Sequence, residues 1–343
     1  NYGNIEGNYQ VGGIAGDSEG IDENSVIYLK NCKNFGNIKG IKNEETTYNY
    51  SSIAGIVGCN FKYSILQDNE NQGKIESDAY AQGGISGSNY YIIRGCNNTG
   101  ELINTKKEGN SLVGGITGYN FGKIENCFNN GNVSGSMKTG LFIGGVVGCS
   151  TKATLSGVND VGTENCYNTG NVSGNKYVGG IAGRVLTDAS INSCYNIGEV
   201  LGDICVGGVA GDTISDTSKE IKNSYNKGNV TANTSHVGGI VGIIRCNVEN
   251  VYNSGKITIN STSDRFGGTF GAVDTAVMDV NNIKNVYYLD TTCDKGYGNE
   301  SVIGNIKGVN KKTSEEMINL FSLLGSEFKQ NTEGDRYPKL KWE

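Results

Sequence analysis

The side chains of this chain that could do chemistry are ten cysteines, nineteen tyrosines, a scatter of acids and one histidine. Cys32, Cys96, Cys127, Cys166 and Cys194 each precede an Asn by two residues, and Asn69, Ser224, Val251 and Val286 hold the same position elsewhere. Exchange with Ser and Val describes a small, buried position and not a ligand. Cys59 and Cys149 form a second column. No Cys-x-x-Cys pair exists, so zinc and thioredoxin-type chemistry are excluded. Free buried thiols and one or more disulfides both stay open, and parallel Cβ directions in a stack favour free thiols.

Between the Cys and Asn positions lies an aromatic column: Phe128, Tyr167, Tyr195, Tyr225, Tyr252 and Tyr287. Lys33, Glu70 and Asn97 occupy it in earlier copies. Strict alternation points this column outward. Exposed, it is a ligand-binding platform, apolar with hydroxyls, for stacking sugar rings or docking a protein. The alternative is that an Asn-x-Gly bend breaks the alternation, or that insertion loops cover the rings.

The remaining candidates point away from catalysis. Asp188, Asp203, Asp212, Asp216, Asp274 and Asp279 fall mostly in spacers, and no pair recurs at the fixed offset a glycosidase needs. The Gly-Gly-x-Gly-x-Asp calcium pattern forms no series. His236 stands alone before a Val-Gly-Gly phrase and reads as a turn residue, since one histidine cannot build a multi-His metal site. No catalytic residue, metal or cofactor is expected. Lys and Arg total 29 against 35 acids, so nothing favours nucleic acid. No apolar run reaches the ~18–20 residues of a membrane span.

These side chains are positioned by a repeat. A phrase of the form Val-Gly-Gly-Ile-x-Gly occurs nine times, with its second position-defining Gly at 13, 55, 84, 115, 145, 180, 208, 239 and 268. Before each stands a second phrase whose Asn falls at 1, 34, 71, 98, 129, 168, 196, 226 and 253, followed two residues later by Gly and two later again by an aliphatic residue. The segments are short, β-branched and bounded by Gly and Asn, which is strand-and-turn chemistry. A unit this small buries its apolar face only by stacking on its neighbours. The reading is an all-β, parallel β-helix or β-solenoid of about nine rungs, about 4.8 Å apart. Stacking puts the Asn residues in a buried amide ladder. The Gly two residues on suits a turn with positive φ, and the Gly-Gly pair suits a bulge or close backbone approach.

Spacers such as 17–26, 39–51 and 149–162 read as insertions on one face. After residue 292 the pattern fades. Thr313-Ser314-Glu315-Glu316 has capping-box spacing, Met317, Leu320, Phe321 and Leu324 follow at helical spacing, and Gly325 stops the run. The chain divides into a repeat domain, 1–292, and a helix-plus-strand cap, 293–343, that closes the open end. Asn1 already lies inside a repeat, which reads as a piece of a longer protein.

The paired phrases, Cys-Tyr-Asn-x-Gly-x-Val and Val-Gly-Gly-Ile-x-Gly, resemble the GLUG-type repeat of bacterial surface proteins, including non-catalytic regions of IgA-specific metallopeptidases and clostridial-type cell-surface proteins. The tail, from Lys312-Thr313-Ser314 to Lys339-Leu340-Lys341-Trp342, resembles the segment closing such regions. The likeness implies an extracellular, cell-wall-associated bacterial protein. The peptidase zinc motif His-Glu-x-x-His is absent, so no peptidase activity carries over. The expected function is a non-catalytic surface module, a monomer that binds a host protein or glycan as an adhesin. A structural stalk of a larger secreted enzyme and, last, a carbohydrate-active β-helix enzyme are the alternatives.

Overall fold

In the computed structural model, which describes residues 1–41, 51–135, 140–214 and 216–343, the chain coils into nine stacked rungs. Three parallel sheets run the length of the coil: two of 16 strands and one of nine, the nine-stranded sheet taking one strand from each rung. One turn shows the plan. Strands Leu102–Asn104 and Asn110–Gly114 lie in the first sheet, Thr117–Asn120 in the second, and Lys123–Glu125 and Phe128–Asn129 in the third. Pairing between rungs is parallel, and in register apart from irregularities between Gly202 and Ile204 and between Asp216 and Glu220, so Val113 stands over Gln82 and under Ile143, and Asn129 between Asn98 and Asn168. In later rungs the short strands fuse, as in Val200–Gly207 and Val230–Gly238.

The Asn ladder forms as expected and is continuous. Each Nδ2 donates to the Oδ1 of the next Asn at 2.7–2.8 Å, from Asn1 to Asn253. Each buried Asn Nδ2 also donates a hydrogen bond to the carbonyl two residues on, as Asn129 does to Gly131 at 2.7 Å. Tyr288 takes the next position in register and ends the ladder, its ring against Gly268.

The glycines are explained by backbone proximity. A Cβ on Gly115 would lie 2.1 Å from the Gly145 carbonyl oxygen and 2.3 Å from Asn129 Cγ, and one on Gly118 would lie 2.4 Å from the Leu112 oxygen. The Gly-Gly corner therefore folds inward onto the Asn ladder. It divides the interior into two separate apolar columns: one includes Ile116, Ile124 and Val146, the other Leu102, Val113 and Val133. The Gly after Asn does not take positive φ as the sequence suggested. Gly131 is required because a Cβ would sit 2.1 Å from the Gly100 oxygen one rung below. Left-handed backbone occurs instead just before the Cys column, at Asn31, Asp68, Gly95, Asn126, Asn165, Ser193, Asn223, Asn250 and Asn285, with φ of 48–63°. Asn, Asp and Gly tolerate that conformation best, and the Asn-Cys dipeptides were its unread signal.

The helix-plus-strand element forms: helix Ser314–Ile318 carries the Thr313–Glu316 capping box, and Phe328–Lys329 pairs antiparallel with Lys339–Leu340. The 293–343 segment closes the end with its first part only. Tyr297 and Ile306 seal the end of the larger core, while residues 313–343 run back along the flank as a strap.

Candidate functional site

The cysteines are structural. Cys96, Cys127, Cys166 and Cys194 are fully buried, and all ten are free thiols. Each of these four Sγ atoms donates to the carbonyl two residues back, as Cys127 does to Glu125 at 3.2 Å, and the column accepts backbone N–H groups from the preceding rung, as Cys127 Sγ does from Cys96 at 3.4 Å. Ser224 Oγ serves Cys194 and Asn69 Oδ1 serves Cys32 identically, which explains why Ser and Asn substitute for Cys. Burial pushes the Cys96, Cys127 and Cys166 thiols well above the usual range, where a thiolate nucleophile is not available. At pH 8 the native protein is expected to react with a thiol reagent such as dithionitrobenzoate at no more than the two half-buried thiols, Cys32 and Cys293, and at ten in guanidinium. Fast reaction of more than two in the native state would contradict this placement.

The aromatic column points outward, as alternation required, and is brought together as a stack. Phe128, Tyr167, Tyr195, Tyr225 and Tyr252 follow one another at 4.9–5.0 Å between ring centroids with interplanar angles of 3–8°. Rung spacing therefore uses up the ring faces. What the column offers outward is ring edges and hydroxyls, so a sugar has no open face to stack on between rungs.

The strap covers the later half of this column. Met317, Leu320, Leu324, Phe328 and Leu340 bury Tyr225, Tyr252 and Tyr287. Tyr225 Oη donates to the Glu343 carboxylate at 2.9 Å, Tyr252 Oη donates to the Pro338 carbonyl at 2.5 Å, and Trp342 Nε1 donates to the Ser193 carbonyl at 3.0 Å. Lys227 pairs with Asp335 at 2.9 Å. Phe128, Tyr167 and Tyr195 keep partial exposure. Where the strap leaves the column, a cleft of about 410 Å³ opens, lined by Tyr195, Ile197, Lys227, Glu333, Lys339 and Glu343 among others.

Two polar clusters lie elsewhere. Asp212, 1% exposed, receives Arg184 Nε at 2.8 Å and Arg245 Nη1, and Arg245 also reaches Asp274 at 2.9 Å. Burial pushes the Asp212 carboxyl up, and the two guanidiniums oppose that shift. Nearby, His236 Nε2 contacts Arg265 and its Nδ1 contacts Ser235 Oγ at 2.8 Å. Burial, then the Arg265 and Arg245 charges, depress its pKa to about 4. No carboxylate hydrogen-bonds His236 among the described residues, so it lacks the orienting group of a catalytic base. On the third sheet a depression of about 260 Å³ exposes Lys123, Lys219 and Lys222, each engaged by a carboxylate. The described residues hold no group of three His, Cys, Asp or Glu placed for a metal, and no helix among them is long and apolar enough to cross a membrane.

Comparison with known proteins returns a repeat. Residues 109–134 match the GLUG motif, and that stretch is one turn of the coil, from the Gly-Gly corner through Asn129 to Val133. Among solved structures, a crystal structure from Bacteroides ovatus, provisionally described as an immunoglobulin A1 protease, aligns with 92% of this chain and 86% of its own length, at 18% identity and a TM-score of 0.46. No curated protein matches.

Proposed function

We propose that this chain, a bearer of the GLUG motif, is a non-catalytic repeat module of a secreted or cell-surface bacterial protein, and that it works by adhesion, binding a glycan or host protein. The observation that carries the reading is where the chemistry-bearing side chains go. Thiols, amides and phenols are joined rung to rung, and the clustered Lys and Arg residues are met by carboxylates. These groups hold a coil together. Among the described residues the one histidine has no carboxylate to orient it, and the buried thiols are held protonated, so neither makes the activated nucleophile that acyl transfer requires. The flank cleft, where Tyr195 and Ile197 lie among charged side chains, has the form of a binding site. A structural spacer is the second reading, favoured by the same unbroken ladders and the sealed end.

The test presents the purified chain to immobilised glycans and host matrix proteins, with parallel incubations followed for released reducing ends and peptides. Saturable retention without release is the expected result. Release of product would overturn the reading, and neither retention nor release would leave the spacer.

A further inference from the structure

We infer that the cleft beside the strap takes a neutral polyhydroxylated ligand, a short oligosaccharide; the inference rests on the binding role proposed above. The cleft, about 410 Å³, falls in the size range of small-ligand sites. Its apolar lining is aliphatic and phenolic: Ile197, 46% exposed, with Tyr195 and Tyr225. The charges around it are largely settled. Lys227 is paired with Asp335, and the Glu343 carboxylate accepts from Tyr225 Oη at 2.9 Å and from the Leu340 amide at 2.7 Å. The lining sets two lysines, Lys227 and Lys339, against three carboxylates, Glu333, Asp335 and Glu343, so an anionic ligand meets no cationic excess.

What remains uncommitted is a mixed set. The half-buried Tyr195 hydroxyl has no hydrogen-bond partner among the described residues, and neither the Lys339 ammonium nor the Glu333 carboxylate makes an ion pair among them. One cationic donor, one anionic acceptor and one hydroxyl that does both suit a ligand whose own hydroxyls donate and accept. The Tyr195 hydroxyl can both donate to and accept from a ligand hydroxyl. Ile197 offers an aliphatic surface to the C–H face of a pyranose beside the tyrosine edges.

Trp342, the single tryptophan, lies 5.6 Å from the Tyr195 ring and reports on this cleft. The experiment titrates the full chain with neutral cello-, malto-, xylo- and chito-oligosaccharides, with a lysine-rich peptide and with diglycine, following Trp342 emission. It is repeated with Ile197→Asp, which charges the apolar lining, and Tyr195→Phe, which removes the hydroxyl and keeps the stack. The expected result is a saturable shift with at least one oligosaccharide, Kd raised tenfold or more by I197D and several-fold by Y195F, with melting unchanged. No saturable response to any oligosaccharide, a response both variants leave intact, or saturation by the peptide or diglycine instead overturns it. Glycan retention on a surface that survives both variants keeps the adhesive role and removes the cleft from it; no retention anywhere removes both.

Discussion

Gly145→Ala is expected to abolish folding of the coil or to cost more than about 4 kcal/mol, well above an ordinary overpacked site. Its new Cβ would stand 2.1 Å from the Gly180 carbonyl oxygen and 2.3 Å from Asn168 Cγ. Neither neighbour is free to move. The Gly180 carbonyl belongs to the backbone of the next rung, and Asn168 is held in the buried ladder. A methyl group there must push two rungs apart, and the parallel pairing Ile143–Val178, Gly144–Gly179 is adjacent. Gly174→Ala is the control. Its nearest atom is the Cδ1 of Ile143, at 2.6 Å, the end of a side chain that can rotate. Soluble yield and urea midpoint should fall steeply for G145A and little for G174A. Removing the Asn contact as well, in Gly145→Ala with Asn168→Ala, should not rescue it, because the carbonyl remains. Wild-type-like yield and midpoint for G145A would refute the inward-folded corner.

Asn168→Ala is expected to destabilise the protein by about 3–5 kcal/mol, from three orphaned buried groups at about 1–3 kcal/mol each, partly offset by relaxation. Asn168 is fully buried. Its Nδ2 donates to the Gly170 carbonyl at 2.7 Å and to Asn196 Oδ1 at 2.8 Å, and its Oδ1 accepts from Asn129 Nδ2 at 2.7 Å. Alanine leaves all three partners unsatisfied and a space beside Gly145. Stacked repeats are stabilised mainly through neighbouring interfaces, so a break in an interior rung should also reduce cooperativity and split the urea transition. Asn1→Ala, at the exposed end of the same ladder, should cost less than about 1 kcal/mol. Equal effects at the two positions would mean that the ladder is not a cooperative unit.

Both variants act on features readable from spacing alone. The Asn column and the Gly-Gly column recur at fixed offsets, and a parallel stack turns equal offset into contact. The same rule placed Tyr195 over Tyr167 and under Tyr225, pointing out, and placed the thiols inward. The capping box at Thr313 was legible because its partners are three residues apart.

Other features were not legible. That the Gly-Gly corner touches the Asn ladder, dividing one interior into two, depends on two phrases meeting across the cross-section, and periodicity along the axis carries no information about that direction. The left-handed residue before each Cys was hidden because Asn, Ser, Asp and Gly share the position, and their common property is a backbone angle. The strap is the largest gap. Tyr225 meets Glu343 across 118 residues of sequence, and nothing in the composition of 313–343 says whether its apolar face lies on the end of the coil or along its side.

The sequence by itself determined the coil, its count of about nine rungs, its ladders and the inward sense of the thiol column, because in-register stacking makes every repeat position its own neighbour, while the outward sense of the aromatic column stayed open to a bend or a cover. Tertiary structure alone decided that three of the column's five phenols are roofed, that the ring faces are spent on one another, and that a cleft remains at Tyr195 and Ile197. Those outcomes come from a non-repeating segment docking on a repeating one, where burial of apolar area selects the place and no periodicity records the choice.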